Sequence, residues 1–431
     1  MMRSSGHADL PLHTGTVPKW LSDRMMAMGT LIMESIVSER GTEEVLVRLS
    51  DPLWFQSLGA VMGMDWHSSG ITTSVMYALK RGLNPRAKDL GIYICGGRGK
   101  YSRQTPEELS FIAESEGLDG DSLVRDSRLC AKVDNNAVQD GFQLYQHNFV
   151  LARDGKWAVV QQGMNPITKT ARRYHWCSSS LRSFVEEPHA AVVGENRGKI
   201  LNLTDKQASK SRASILDMAN ENPERILREI RLASYGTGLA SCNEPIGNVV
   251  QGELFPELVK PIPENNANLP VDFGGRSFSM PARHDVQKTD VDLKRLGAVL
   301  ATAYESQPQN FEELLLTKGL GPRTLQSLTL VSEVIYGTPS RFTDPARFSF
   351  AQGGKDGHPF PVPIRIFDES IRVLQEGIEK SKLGYKEKTE CIKRLHQTAL
   401  QIERNCSPQA DFEKAVQYER QNSKTWDGRT I

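Results

Sequence analysis

The chain has 431 residues, enough for two or three domains with cores of their own. Lysine and arginine number 53 against 52 aspartates and glutamates, a formal net charge of +1, so a uniformly basic coat is excluded and affinity for a polyanion must come from local patches. The six cysteines are far apart and contain no Cys-x-x-Cys pair, so neither a zinc ribbon nor a disulfide scaffold is indicated; with a polar N-terminus and no long apolar run, the expected setting is cytoplasmic, without a membrane span.

To about Arg81 the pattern is helical. Met25, Met28, Leu31, Ile32, Ile36 and Val37 keep helical spacing, and Ser50-Asp51-Pro52 starts a further helix. The polar run Gly63 to Thr73 leads into a helix with Ser68, Ser69 or Thr72 as cap; within it Asp65 and His67, two apart, could point one way toward a metal or a phosphate. Gly91 to Cys95 reads as a strand entering the basic glycine loop Gly96 to Lys100, with Thr105 capping and Pro106 opening the next helix. Arg98 and Lys100 could touch a nucleic-acid backbone there, or the loop could be structural. The spacing does not fit a nucleoside-triphosphate loop.

The densest polar chemistry lies between Lys132 and Trp176. Runs 142–151 and 157–162 read as strands joined through Asp154-Gly155, and a two-residue turn at that pair sets His147 opposite Gln162 and Asn148 opposite Gln161, with Tyr145 on the His147 face. Polar residues inside apolar strands imply a site or a buried hydrogen-bond network. Asp134, Asp140, His147 and His175 are candidate catalytic residues. Asp134 and Asp140, with Asp65 and His67, are candidate ligands for Mg²⁺ or Mn²⁺, hard ions that prefer carboxylates and activate water for phosphodiester cleavage. Arg172 and Arg173 beside Tyr174, His175 and Trp176 suit a strand-binding groove or a salt-bridged edge beside a core tryptophan.

Residues 205–232 return to helix, and 256–287, rich in proline, read as a linker. Phe311 to Ile335 then carries two apolar-periodic helices around Thr317-Lys318-Gly319-Leu320-Gly321-Pro322-Arg323. Two glycines around one apolar residue allow a tight turn, Leu320 plugs the space between the helices, and Pro322 opens the second. This resembles a helix-hairpin-helix clamp on nucleic-acid phosphates, with Lys318, Gly319, Leu320, Gly321 and Arg323 as contacts. An ordinary helical hairpin would use the same glycines only to turn. The Gly353 to Pro359 loop, holding Lys355, Asp356 and His358, could fold back on the first domain, and the apolar seam from Phe367 to Cys406 suits packing on its own domain or a homo-oligomer contact.

Taken jointly, Leu12-His13-x-Gly15, Trp54-Phe55-Gln56-x-Leu58-Gly59, Asp65 to Gly70, Gln139-Asp140-Gly141, Val159 to Asn165, Ala171 to Trp176 and Gly353 to Pro359 resemble the domain-of-unknown-function 763 family over about Leu12 to Val362. The resemblance implies an archaeal or bacterial protein, and the family's usual description as helix-hairpin-helix or DNA-binding falls on Gly319 to Arg323.

The expected fold is α+β: an N-terminal mixed domain with a central β-hairpin flanked by helices, plus a C-terminal, mainly helical helix-hairpin-helix module. The expected boundaries are 1–255 for the first domain, 256–287 for the linker, 288–340 for the hairpin unit and 341–431 for the Gly/Pro-rich loop and terminal helices. The expected function is nucleic-acid processing, as a metal-dependent nuclease on DNA or structured RNA. The alternatives are a non-enzymatic DNA-binding protein, and a nucleotide hydrolase or transferase using Gly96 to Lys100.

Overall fold

The structure, a computed structural model, describes residues 10–11, 19–64, 69–165, 167–194, 196–198, 200–228, 293–346, 364–380, 388–389, 391–393 and 397. The chain divides into two compact units, one formed by 1–206 with 342–431 and the other by 207–341. The 256–287 linker, the Gly353 to Pro359 loop and the terminal seam beyond position 397 lie outside the described residues, as do Asp65 and His67.

The first unit is built on an antiparallel sheet between two helical layers. Its strands are β1 (Leu10–Pro11), β2 (Ile92–Arg98), β4 (Gln143–Ala152), β5 (Trp157–Asn165), β6 (Thr170–Cys177) and β7 (Ala191–Val193), in the order β1-β6-β5-β4-β2, with β7 also pairing with β6. Short β3 (Val138–Gln139) pairs with β8 (Leu201–Asn202) beside it.

One face packs on α1 (Lys19–Arg40), α2 (Thr42–Ser50), α3 (Pro52–Val61) and α4 (Gly70–Leu83). The expected helical stripe buries Met25, Met28, Ile32 and Ile36 with Trp54, Phe55, Leu79, Ile94, Val150 and Val160 in one apolar core. Burying each side chain of this size is worth roughly 1.5–3 kcal/mol before the entropy of ordering it is subtracted. Asp51 starts α3 as expected, accepting from the Leu53 and Trp54 amides while Pro52 supplies a first-turn position that needs no donor. On α13 (Ile364–Lys380), the seam residues Leu374 and Ile378 join this same core, and Gly377 lets the helix lie close on Ile32 of α1.

Short α5 (Ala87–Leu90) leads into β2, and the opposite face of the sheet packs on α6 (Thr105–Glu116) and α7 (Gly120–Lys132). Thr105 and Pro106 begin α6, but Gln104 is its cap residue and no side chain caps it; the Thr105 hydroxyl instead donates back to the Ser102 carbonyl, closing the preceding 3-10 turn. Similarly, Ser69 precedes α4 without a side-chain cap. At its C-terminal end α7 widens into a π turn over Val133–Ala137, which carries Asp134 into the interior.

The β4–β5 hairpin forms around Asp154-Gly155 with a register one residue away from the expected one. His147 pairs with Gln161, Asn148 with Val160 and Gln146 with Gln162. The cause is the loop: Arg153, Asp154 and Gly155 all lie outside the strands, Gly155 takes φ +84, and the Ala152 amide donates to the Lys156 carbonyl at 2.8 Å. A three-residue loop closing on a left-handed glycine competes with the two-residue turn. Farther along, Tyr145 is an extra residue between the pairs Leu144↔Gly163 and Gln146↔Gln162. This bulge breaks the simple alternation: the Tyr145 hydroxyl reaches Gln162 while Tyr145 still lines a cleft together with His147.

The second unit is helical among its described residues: α8 (Ser209–Asn220), a helical segment α9 over 223–228, α10 (Leu293–Ser306), α11 (Phe311–Leu316) and α12 (Pro322–Tyr336). The α8 helix packs on α10, α11 and α12, with Ile215, Leu300, Leu314, Leu315, Leu325 and Leu328 buried in the unit. No helix among the described residues is long and apolar enough to cross a membrane.

Candidate functional site

Side-chain alternation along β4, β5 and β6 sorts the polar residues of the sheet into two buried networks, one on each face. On the α7 side, α7 turns Leu123, Ser127 and Cys130 inward at positions i, i+4 and i+7, so a serine occupies a core position of the helix. The Ser127 hydroxyl lies 2.9 Å from His147 Nε2, and His147 Nδ1 lies 2.7 Å from Gln161 Oε1. Gln161 Nε2 in turn meets the Cys130 carbonyl at 3.1 Å and the Asp134 carboxylate. Trp176 Nε1 donates to Asp134 at 3.0 Å, and His189 closes on its other oxygen.

This chain of contacts fixes the proton positions. A carbonyl only accepts, so the Gln161 amide must face Cys130 and its oxygen must face His147. Nδ1 of His147 therefore carries the hydrogen, Nε2 has its lone pair free, and Ser127 donates to it. Burial lowers the affinity of His147 for a second proton, keeping the ring neutral.

Farther along the same face, Arg172 NH1 binds Asp140 at 3.0 Å, and the guanidinium grips Asp344 at 3.0 and 2.9 Å. Tyr174 donates to Asp140 at 2.6 Å, and the Phe142 amide donates to its other oxygen at 3.0 Å. One guanidinium facing two buried carboxylates leaves an excess negative charge. Burial accordingly lifts the Asp140 carboxyl to about 6 against the pull of Arg172.

The opposite face has the reverse imbalance. Arg173 reaches Gln56 Oε1 at 2.9 Å, Thr72 Oγ1 at 3.4 Å and His175 Nε2 at 2.8 Å, and its guanidinium lies over the Phe55 ring. Burial without a carboxylate pulls its pKa down to about 9. His175 Nδ1 lies 2.9 Å from the Leu49 carbonyl, so this ring too is neutral with a fixed tautomer, and burial with Arg173 beside it holds its pKa well below 6.5. Gln162 joins Thr72, the Ser69 carbonyl and Tyr145, while Gln146 donates to the Thr72 carbonyl at 3.1 Å and Asn148 at 2.7 Å.

Of the candidate catalytic residues, Asp134 and His147 thus share one network, Asp140 sits beside Arg172 on the same face, and His175 lies behind the sheet. Their grouping does not suit a hard cation. The Asp134 and Asp140 oxygens already accept from Gln161, Trp176, Arg172, Tyr174 and the Phe142 amide, and no group of three or more His, Cys, Asp or Glu side chains among the described residues is arranged to hold a metal. Asp65 and His67 lie outside the described residues. Arg172 and Arg173 are fully buried rather than offered to a nucleic-acid strand, because strand alternation sends them to opposite faces, Arg172 to Asp140 and Asp344 and Arg173 to Gln56 and Thr72. Ser127, Gln56 and Asp344 escaped the sequence reading. A serine or glutamine at a core position of an amphipathic helix was a usable signal for Ser127 and Gln56; nothing local marked Asp344.

The glycine loop is anchored rather than open. Gly96, at φ +81, leaves no room for a side chain beside the His147 carbonyl and the Thr105 hydroxyl, its amide donates to Glu108 at 2.7 Å, and Lys80 binds both its carbonyl and Glu108. Arg98 and Lys100 are exposed beside the Tyr145 and Tyr101 rings. Next to them a cleft of about 170 Å³ is lined by Arg103, Thr105, Ser127, Arg128, Tyr145 and His147, among others.

In the second unit, Thr317 ends α11, Gly319 turns the chain at φ +88, Leu320 is buried and Pro322 opens α12. Lys318, Gly319 and Arg323 are exposed and Gly321 is half-buried. Gly321 offers no side-chain cap, so no side chain covers the N-terminus of this 15-residue helix from the cap position. The Thr324 hydroxyl just inside it is buried without a hydrogen-bond partner among the described residues.

No curated protein and no solved structure matches the chain. Over residues 6–362 it matches the family described as "Protein of unknown function (DUF763)", and the chain belongs to that family.

Proposed function

We propose that the chain binds the sugar-phosphate backbone of nucleic acid through the turn from Thr317 to Arg323. The observation that supports this reading is the geometry of the turn: a left-handed Gly319, a buried Leu320 and an α12 N-terminus without a side-chain cap, bracketed by exposed Lys318 and Arg323. Amides at a helix N-terminus carry partial positive charge, and two cations beside them favour a phosphate. One such turn reaches few phosphates, so binding is weak, indifferent to base sequence and steeply salt-dependent. Metal-dependent cleavage, the other half of the sequence expectation, lacks a described ligand set and is not part of this proposal.

The test is a salt titration of duplex binding by the full chain and by Lys318→Glu/Arg323→Glu. Both positions are exposed, so the variant keeps its fold. The expected result is at least a tenfold loss at low salt, with a slope of log affinity against log salt smaller by about two. Equal affinity and equal slope would overturn the assignment.

A further inference from the structure

We propose that the cleft between α7 and the start of β4 is a hydrolytic site in which Ser127 is the nucleophile, His147 its general base and a phosphodiester the substrate. The site lies wholly within the first unit and stands independently of the turn at Thr317 to Arg323. Three observations converge. The proton chain runs one way: the Cys130 carbonyl orients Gln161, Gln161 holds the hydrogen on His147 Nδ1, and Nε2 is left to accept from Ser127 at 2.9 Å. Ser127 and His147 are also part of the lining of a cleft of about 170 Å³, room for a phosphate group and part of its substituents. Finally, the same cleft is lined by Arg103 and Arg128, exposed cations that pair with no carboxylate among the described residues.

A buried serine–histidine contact on its own is a common way to tie a helix to a sheet. Here the pair opens on a cleft edged by guanidinium groups, and guanidinium is suited to the non-bridging oxygens of a phosphate. Tyr145 adds an aromatic wall, lifted out of register by its bulge, with Arg98 against its ring.

The chemistry balances without a further reactant except water. As Ser127 Oγ bonds to phosphorus, its proton passes to His147 Nε2; the bond to the leaving oxygen breaks, and that oxygen takes the proton from Nε2. Water then gives a proton to Nε2 and attacks the phosphoserine diester. The phosphorus–Oγ bond breaks, Ser127 recovers its proton, and a phosphomonoester leaves. Gln161 is a positioning residue, holding the ring in the tautomer that can accept from Ser127.

The experiment uses the full chain and two probes. A fluorophosphonate of neutral charge reports the nucleophile by peptide mass, and bis(4-nitrophenyl) phosphate reports turnover of an anionic diester. Wild type is expected to carry the adduct on Ser127 and to release nitrophenolate, whereas Ser127→Ala does neither. Arg103→Ala/Arg128→Ala, confined to exposed side chains, is expected to keep the adduct and lose at least tenfold in diester turnover. Gln161→Ala is expected to slow labelling and displace its pH profile, which a merely structural glutamine would leave in place. A folded wild-type chain that takes no adduct on Ser127, or a Ser127→Ala variant that hydrolyses the diester at the wild-type rate, overturns the proposal.

Discussion

Replacing His175 by glutamine tests the electrostatics of the buried sheet, because this ring is held neutral by two fixed partners. Its Nδ1 hydrogen points at the Leu49 carbonyl and its Nε2 accepts from Arg173 Nε, so a second proton would break the Arg173 bond and set two buried cations side by side. The folded pKa is depressed well below 6.5, whereas the unfolded chain protonates near 6.5. Stability from this group is therefore complete above the unfolded value and declines as pH falls below it. The decline is about 1.4 kcal/mol per pH unit, or about 2 kcal/mol between pH 6.5 and 5.0. His147, also depressed by burial, adds a decline of the same sign. Asp140 opposes them: its folded pKa of about 6 lies above the ordinary 3.8, so it adds stability as pH falls through that window. Glutamine keeps an acceptor for Arg173 but cannot titrate. Trp54, Trp157 and Trp176 are buried in the first unit, so denaturant unfolding followed by tryptophan fluorescence reports on it. His175→Gln should lose about 2 kcal/mol less than wild type on moving from pH 6.5 to 5.0. The same pH dependence in both chains would refute a neutral His175.

Arg172→Met removes the guanidinium that binds both Asp140 and Asp344 in the interior, and unfolding should become easier by about 3–5 kcal/mol, measured by denaturant titration. Gly96→Ala places a methyl group 2.3 Å from the His147 carbonyl and forces alanine to φ +81. It should cost at least about 1–3 kcal/mol in the same titration, and wild-type stability would mean that β2 does not pass this close to β4.

Local chemistry in the sequence carried far. Asp51-Pro52 announced α3, Asp154-Gly155 located the hairpin and Gly319 to Arg323 marked a tight interhelical turn, because caps and left-handed glycines act over a few residues. Register is a different kind of information. Whether a loop closes over two residues or three depends on the twist of the strands it joins, and a bulge at Tyr145 depends on what the bulged residue can reach. Polar residues inside strands were visible, but the network they form was not. His147 met Gln161 instead of Gln162, Arg172 found Asp344 far along the chain, and two adjacent arginines proved to be buried on opposite faces rather than forming a surface. Ser127 was legible only as a polar residue on the inner stripe of α7. A carboxylate pair suggested a metal, yet the donors that occupy Asp134 and Asp140 come from strands whose pairing the sequence did not settle.

The most direct measurement on the backbone-binding reading is amide hydrogen exchange of the full chain with and without a DNA duplex at low salt. Protection is expected at 318–325, where the turn and the first turn of α12 would close on a phosphate, and it should disappear in Lys318→Glu/Arg323→Glu. A bound duplex that protects other segments and leaves 318–325 unchanged would contradict it.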